Sequence, residues 1–277
     1  METVTNTTPL DTTATNYPSI KQGWILILIL IGWTIAVSLP LGIPMYLAKE
    51  NGIDLYGIPE FLAYVLSFWL TIRYAQKRRS DKTLAFGVVP VAVYPIAAVG
   101  MLAIGVLAEP LITAIPQPEW LEKAMEEMFN KKIIITAVLA APILEEILLR
   151  GIVLDGFLKR YSPTKAIIWS AVLFGVMHLI PLQALNAFFL GLAMGWVYYR
   201  TCSLWPVILM HFVNNALSSL SFLSDDSSID ISANTTRQLI GNDTTYGLIL
   251  AACVFVLWGC YVLINRLTPH RIATRSV

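Results

Sequence analysis

Residues 23–48 read GWILILILIGWTIAVSLPLGIPMYLA, an apolar run without a single charged side chain. A helix needs about 20 apolar residues to cross the hydrocarbon core of a bilayer, so this run is long enough to span a membrane. The segment before it is polar and carries only one lysine, Lys21, and the run continues past Pro40. These features are atypical of a signal peptide, and we predict an uncleaved first transmembrane helix.

Similar charge-free runs recur along the 277-residue chain, which is 56% hydrophobic and only 13% charged. Soluble domains have about 45–50% apolar and about 25% charged residues, so the composition excludes an ordinary soluble enzyme. The runs are too long and too unbroken for the strands of a membrane barrel. We predict an all-α polytopic membrane protein with about eight transmembrane helices, at 24–47, 59–75, 85–108, 132–154, 164–180, 182–200, 204–223 and 246–265.

The distribution of basic residues predicts the orientation of these helices. The loop after the second span carries five of them, and such loops face the cytoplasm; they are Arg73, Lys77, Arg78, Arg79 and Lys82. Counting spans from this loop places both termini in the cytoplasm, and we expect the plasma membrane of a prokaryote. The net charge of +1 gives no basis for binding nucleic acid, so we expect the lipid bilayer and a membrane-associated peptide or protein substrate as partners.

Four parts follow from this layout. Residues 1–22 are expected to form a disordered polar tail, and residues 23–131 hold the N-terminal spans and an interfacial amphipathic helix at 116–132. That helix is either a membrane-anchoring linker or a lid over a substrate entry. Residues 132–223 form a catalytic core with the intramembrane ionisable residues, and residues 224–277 comprise an outer loop, the last span and a basic cytoplasmic tail.

Adjacent carboxylates inside the fourth span mark a functional site, because ionisable residues are costly within a membrane. Glu146 lies four residues before Arg150, the spacing of an ion pair on one helix face. Glu145 lies about 100° further round the helix, so we predict that it stays unpaired in an apolar setting and acts as a general base. The alternative is that both glutamates only neutralise charge at the cytoplasmic boundary.

Two histidines within apolar runs each have a partner one helical turn away. Phe174 precedes His178 by four residues, so its ring is expected to pack beside the imidazole. Asn215 follows His211 by four residues and is expected either to orient the histidine or to donate to a developing oxyanion. Its neighbour Asn214 is predicted to point elsewhere. A purely structural role in helix packing is the alternative for both histidines.

Together these motifs resemble the signature of the CPBP intramembrane proteases, which include the type II CAAX prenyl endopeptidases and the bacterial Abi-like proteins. The resemblance covers about residues 132–219 and runs through Glu145-Glu146-x-x-x-Arg150, Phe174-x-x-x-His178 and His211-x-x-x-Asn215. It implies an eight-helix endopeptidase in which a glutamate activates water. Its roles, carried over to this sequence, are Glu145 as base, His178 as its assistant in holding the water, and His211 with Asn215 as oxyanion stabilisers. The supporting residues are Glu146, Arg150 and Phe174.

The resemblance leaves metal dependence and substrate open. We expect no cofactor, although Glu145, His178 and His211 are also residue types that bind zinc and form the ligand set of that alternative. The substrate is either a CAAX-type lipid-modified peptide or another membrane-associated peptide, and the oligomeric state is not predicted. Two further hypotheses are a transporter or ion relay built on the same ionisable residues and a non-catalytic bacteriocin-immunity protein.

Overall fold

The computed structural model describes residues 16–116, 118–121, 123, 134–223 and 235–268. Within these residues the chain is helical, and its only strand-like pairing is an isolated antiparallel bridge between Phe86 and Ser203. The fourth helix, α4, covers 136–158 in four successive stretches, Thr136–Ala140, Ala141–Glu146, Ile147–Leu154 and Asp155–Leu158. The other helices are α1 (Ile20–Glu50), α2 (Ile58–Gln76), α3 (Val93–Ile112), α5 (Pro163–Met177), α6 (Pro181–Thr201), α7 (Leu204–Leu223), α8 (Thr235–Ile240) and α9 (Asp243–Leu267).

Each apolar run predicted as a span contains one long helix, so the all-α prediction is confirmed. In the described part of the chain, three helices, α1, α3 and α9, are long and apolar enough to cross a membrane by length and composition. The count of eight transmembrane helices stays a prediction. The short helix α8 lies within the segment predicted as an outer loop.

The start of α3 differs from the prediction. The run 85–108 was expected to be helical throughout, but the helix begins only at Val93. Pro90 disfavours helical geometry at the residue before it. The preceding segment instead pairs with the turn between α6 and α7, where the Ser203 hydroxyl donates to the Gly87 carbonyl at 2.6 Å and the Leu204 amide donates to the Ala85 carbonyl at 2.7 Å.

The N-terminal end of α1 also begins earlier than predicted. Residues 16–22 were assigned to a polar tail, yet α1 starts at Ile20, and Ser19 and Gln22 form a reciprocal capping box there. Just before it, the Asn16 side chain donates to the Lys159 carbonyl at 3.3 Å. Most of the amphipathic helix predicted at 116–132 lies outside the described residues.

The middle of α4 forms the centre of the core. Every residue from Leu148 to Leu154 is buried, including Arg150, and α4 packs against α2, α5 and α7. Beside it, α5 and α6 form a close antiparallel pair, because a Cβ atom on Gly175 would lie only 2.6 Å from the Ala184 carbonyl oxygen. Small residues allow such close approach between membrane helices, and here they bring the C-terminal end of α5 against α6.

Candidate active site

Two wide helical turns flank the adjacent glutamates of α4. Residues Thr136–Ala140 and Ile147–Leu154 are π-helical, and Ala141–Glu146 between them is α-helical. Pro142 explains the first of these turns, because proline lacks an amide donor and its ring crowds the carbonyl four residues earlier. π-Helical turns occur frequently at functional sites. Both carboxylates are withdrawn from solvent, since Glu145 is 7% exposed and Glu146 is fully buried.

The predicted ion pair between Glu146 and Arg150 is confirmed. The Arg150 Nη1 atom lies 2.9 Å from the Glu146 Oε1 atom, and both side chains have no solvent exposure. Arg150 also donates to the Gly191 carbonyl at 3.4 Å, and its guanidinium lies 4.4 Å from the centre of the Phe174 ring. The arginine therefore ties α4 to both helices of the α5–α6 pair.

His211 joins the two carboxylates, which were predicted to act on separate faces of the helix. Its Nδ1 atom lies 2.9 Å from Glu146 Oε1, and its Nε2 atom lies 4.0 Å from Glu145 Oε2. The two ring nitrogens point in different directions, so one imidazole reaches both side chains despite their angular separation. Because Glu146 Oε1 accepts a hydrogen bond from Nδ1–H, the neutral form of the ring carries its free lone pair on Nε2, towards Glu145.

Glu145 is not unpaired, contrary to the prediction. The Tyr64 hydroxyl on α2 donates to Glu145 Oε1 at 2.5 Å, a contact that sequence reasoning missed. The other carboxylate oxygen, Oε2, is buried and has no hydrogen-bond partner among the described residues. No spacing rule links Tyr64 to Glu145, because they lie 81 residues apart in the chain.

His178 lies in the turn between α5 and α6 rather than inside a span. The predicted span 164–180 ends as a helix at Met177, and Leu179 follows with a left-handed backbone at φ 61°. His178 Nδ1 lies 2.8 Å from the Phe174 carbonyl oxygen, to which its N–H donates a hydrogen bond. In the neutral ring, Nε2 is therefore an acceptor. The Phe174 ring contacts the His178 ring edge-on at 5.0 Å, which confirms the predicted packing, and the His211 ring at 5.7 Å.

Asn215 reaches the N-terminal part of α4. Its amide donates to the Ala137 carbonyl at 2.8 Å, and its side-chain oxygen accepts from Asn214 at 3.1 Å. The prediction that Asn214 points away from the site is therefore wrong. One amide hydrogen of Asn215 remains after its bond to Ala137, so its role as an oxyanion donor stays a prediction.

A cavity of about 200 Å³ adjoins these side chains. His178, His211 and both asparagines line it, together with Gln183 and Asn186 from α6. Its described lining holds amides, hydroxyls and apolar groups but no lysine, arginine or carboxylate. Such a surface suits the polar main chain of a peptide better than a charged side chain.

The three residues of the alternative zinc set, Glu145, His178 and His211, are not grouped as metal ligands among the described residues. Within the described residues, no group of three His, Cys, Asp or Glu side chains is placed to hold a metal ion. Glu145 and His211 approach each other only to 4.0 Å, and one nitrogen of each histidine is already hydrogen-bonded. We therefore derive no step through a metal.

Residues 129–217 match the family model described as type II CAAX prenyl endopeptidase Rce1-like. This segment, about a third of the chain, is similar to the Rce1-like family. All seven predicted site residues lie inside the Rce1-like segment, whereas Tyr64 lies outside it. The match supports an endopeptidase of the CAAX-protease type, and the apolar helices support a membrane protein. No curated protein and no solved structure matches the chain.

Proposed function

We propose that this chain is an intramembrane endopeptidase in which Glu145 activates a water molecule that hydrolyses a peptide bond. The observation that carries the proposal is the placement of Glu145 Oε2. This oxygen is buried, has no hydrogen-bond partner among the described residues and lies 4.0 Å from Nε2 of His211, which lines the cavity. A water molecule between these two atoms fits this separation, because two hydrogen bonds of about 2.8 Å at roughly a right angle join atoms about 4 Å apart.

The proposed reaction uses the surrounding groups in order. With His211 protonated on both nitrogens, the water accepts from Nε2 of His211 and donates one hydrogen to Glu145 and the other to Nε2 of His178. Glu145 removes its proton, and the resulting hydroxide attacks the scissile carbonyl. The oxyanion receives hydrogen bonds from the remaining amide hydrogen of Asn215 and, when it is protonated, from Nε2 of His211. Glu145 then returns its proton to the leaving amine, which breaks the peptide bond and restores the carboxylate.

The buried pair beneath this site has a supporting role in the proposal. Glu146 holds Nδ1 of His211 at 2.9 Å, and Arg150 neutralises Glu146 from the same distance. This chain of contacts fixes which edge of the imidazole faces Glu145. The substrates we propose are lipid-modified or other membrane-associated peptides, because the cavity lies among apolar helices and its described lining provides uncharged hydrogen-bonding groups.

Cleavage by purified protein in lipid vesicles tests the mechanism, with a prenylated CAAX peptide and an unprenylated apolar peptide as substrates. Glu145→Gln should lower kcat by at least about 100-fold, the scale of general acid–base catalysis, while the protein still folds and inserts. Glu60→Gln is the matched control, because Glu60 is exposed in the first turn of α2. Full activity of Glu145→Gln would show that another group acts as the base.

The same assay addresses metal dependence. Wild-type activity should survive exhaustive treatment with a strong chelator, because the donor arrangement does not form a metal site in the described residues. Elemental analysis that finds one zinc per chain, lost and regained together with activity, would overturn the glutamate mechanism.

A further inference from the structure

Tyr64 contacts the site from outside the Rce1-like segment. It lies in the second turn of α2, and its hydroxyl donates to Glu145 Oε1 at 2.5 Å. Hydrogen bonds from a hydroxyl to a carboxylate are typically about 2.5–2.7 Å long and stronger than bonds between neutral groups. The contact therefore has the geometry of a strong bond to the ionised form of Glu145.

The phenol is held in place independently of this bond. Its ring packs against the ring of Phe68, one turn further along α2, with 4.7 Å between the centroids, and Phe68 is only 4% exposed. Next to Phe68, Ser67 is fully buried, so this face of α2 is packed into the protein. A donor fixed in this way restricts the orientation of the carboxylate instead of following it.

The two oxygens of Glu145 consequently differ. Oε1 is bound by Tyr64, and Oε2 faces His211 without a hydrogen-bond partner in the described residues. We propose that Tyr64 is a positioning residue that holds Oε1 of Glu145 and thereby directs Oε2 at the water, an inference that rests on the proposed function of Glu145.

The remaining charged groups around Glu145 come from two elements. His211 of α7 faces it at 4.0 Å, and Glu146 and Arg150 lie beside it on its own helix. Glu146 and Arg150 are paired with each other, so Tyr64 and His211 are the groups directed at the two carboxylate oxygens of Glu145.

The first test compares Tyr64→Phe with Tyr74→Phe, which makes the same chemical change ten residues further along α2. Tyr64→Phe should lower kcat about tenfold, the scale of a hydrogen bond to a charged group, with KM within about twofold of wild type. Tyr74→Phe should leave both constants unchanged. A Tyr64→Phe variant with wild-type kcat would overturn the inference, because a merely structural contact changes stability without lowering kcat alone.

A second measurement covers the case in which Tyr64→Phe folds poorly. A ring-fluorinated tyrosine at position 64 keeps the shape of the side chain and still donates a hydrogen bond, so kcat should stay within about twofold of wild type. A tenfold loss of kcat in this folded variant would contradict the inference.

Infrared spectroscopy separates this inference from the proposed function. The carboxyl band that disappears in Glu145→Gln should change frequency in Tyr64→Phe, because Oε1 loses its hydrogen bond. An identical band in the two proteins overturns the role of Tyr64 whether or not the protein cleaves any substrate. A shifted band together with a wild-type protein that cleaves neither peptide supports the contact and counts against the proposed function alone.

Discussion

Arg150 is the largest fully buried side chain among the described residues. Its guanidinium neutralises Glu146, binds the Gly191 carbonyl and covers the Phe174 ring, so one residue supports three parts of the site. Removing one partner of a buried ion pair leaves an uncompensated charge in a medium of low dielectric constant. Arg150→Ala should therefore lower the free energy of unfolding by roughly 3–5 kcal/mol.

Thermal unfolding in detergent measures this effect. The double variant Arg150→Met with Glu146→Gln removes both charges and should recover much of the lost stability, while it remains impaired in cleavage because His211 loses its carboxylate partner. If Arg150→Ala instead lost activity at wild-type stability, Arg150 would act on the substrate and the structural assignment would be wrong.

Single residues also show where sequence reasoning reaches its limit. The pairs Glu146–Arg150 and Phe174–His178 were predictable, because residues four apart lie on one face of a helix. The contacts of His211 with Glu146 and of Tyr64 with Glu145 join residues 65 and 81 positions apart. Such contacts depend on how whole helices pack, which no local pattern encodes.

At the scale of elements, the turn between α5 and α6 decides where His178 lies. Leu179 has φ 61° and is 69% exposed, and Pro181 begins the next helix directly afterwards. The left-handed conformation costs an L-residue roughly 1–2 kcal/mol, which glycine avoids. Leu179→Gly should therefore be about 1 kcal/mol more stable than Leu179→Ala, which keeps the Cβ atom and the strain.

Chemical or thermal unfolding of both variants in one detergent checks the comparison. Leucine is truncated in each case, so the lost contacts of its side chain largely cancel between the two. Equal stability of the glycine and alanine variants would mean that the turn is not strained in the folded protein.

Hydropathy alone located the long helices but not their ends. Pro90 and the bridge between Phe86 and Ser203 delay the start of α3, and the turn at Leu179 shortens α5. In both places the backbone leaves the helical conformation in a segment whose side chains are as apolar as those of the helices. An apolar run therefore predicts burial or lipid contact, whereas backbone pairing decides where the helix stops.

Over the whole molecule, contacts gather the basic segments at one end of the helices. Arg79 after α2 and Lys159 after α4 both pair with Asp155, at 3.0 and 2.8 Å. Lys159 also lies 3.4 Å from Asp81, and the Thr83 hydroxyl and amide that donate to Asp81 lower the pKa of this carboxyl to about 2, so it stays ionised at neutral pH.

Contacts near the chain ends follow the same arrangement. Arg200 at the end of α6 donates to the carbonyls of Asn265 and Thr268, which joins it to the end of α9. Glu109 near the end of α3 instead accepts from the amides of Thr236 and Arg237 in α8. Large apolar side chains on the outer faces of α1 and α9 are exposed, as expected for contact with lipid; they include Leu28, Leu39, Ile43, Leu248, Phe255 and Trp258.

This arrangement makes the predicted orientation testable by cysteine labelling. In a protein whose three native cysteines are replaced by serine, Ser80→Cys and Arg160→Cys place exposed thiols at the basic end, and Asn51→Cys places one in the loop between α1 and α2. A membrane-impermeant maleimide should label Asn51→Cys on intact bacterial cells and the other two only after permeabilisation, because loops rich in lysine and arginine stay in the cytoplasm. The reverse labelling pattern would show that the predicted orientation is wrong, but it would not contradict the fold. Labelling of Ser80→Cys and Arg160→Cys from opposite sides would contradict the fold itself, because Arg79 and Lys159 share Asp155 as their partner.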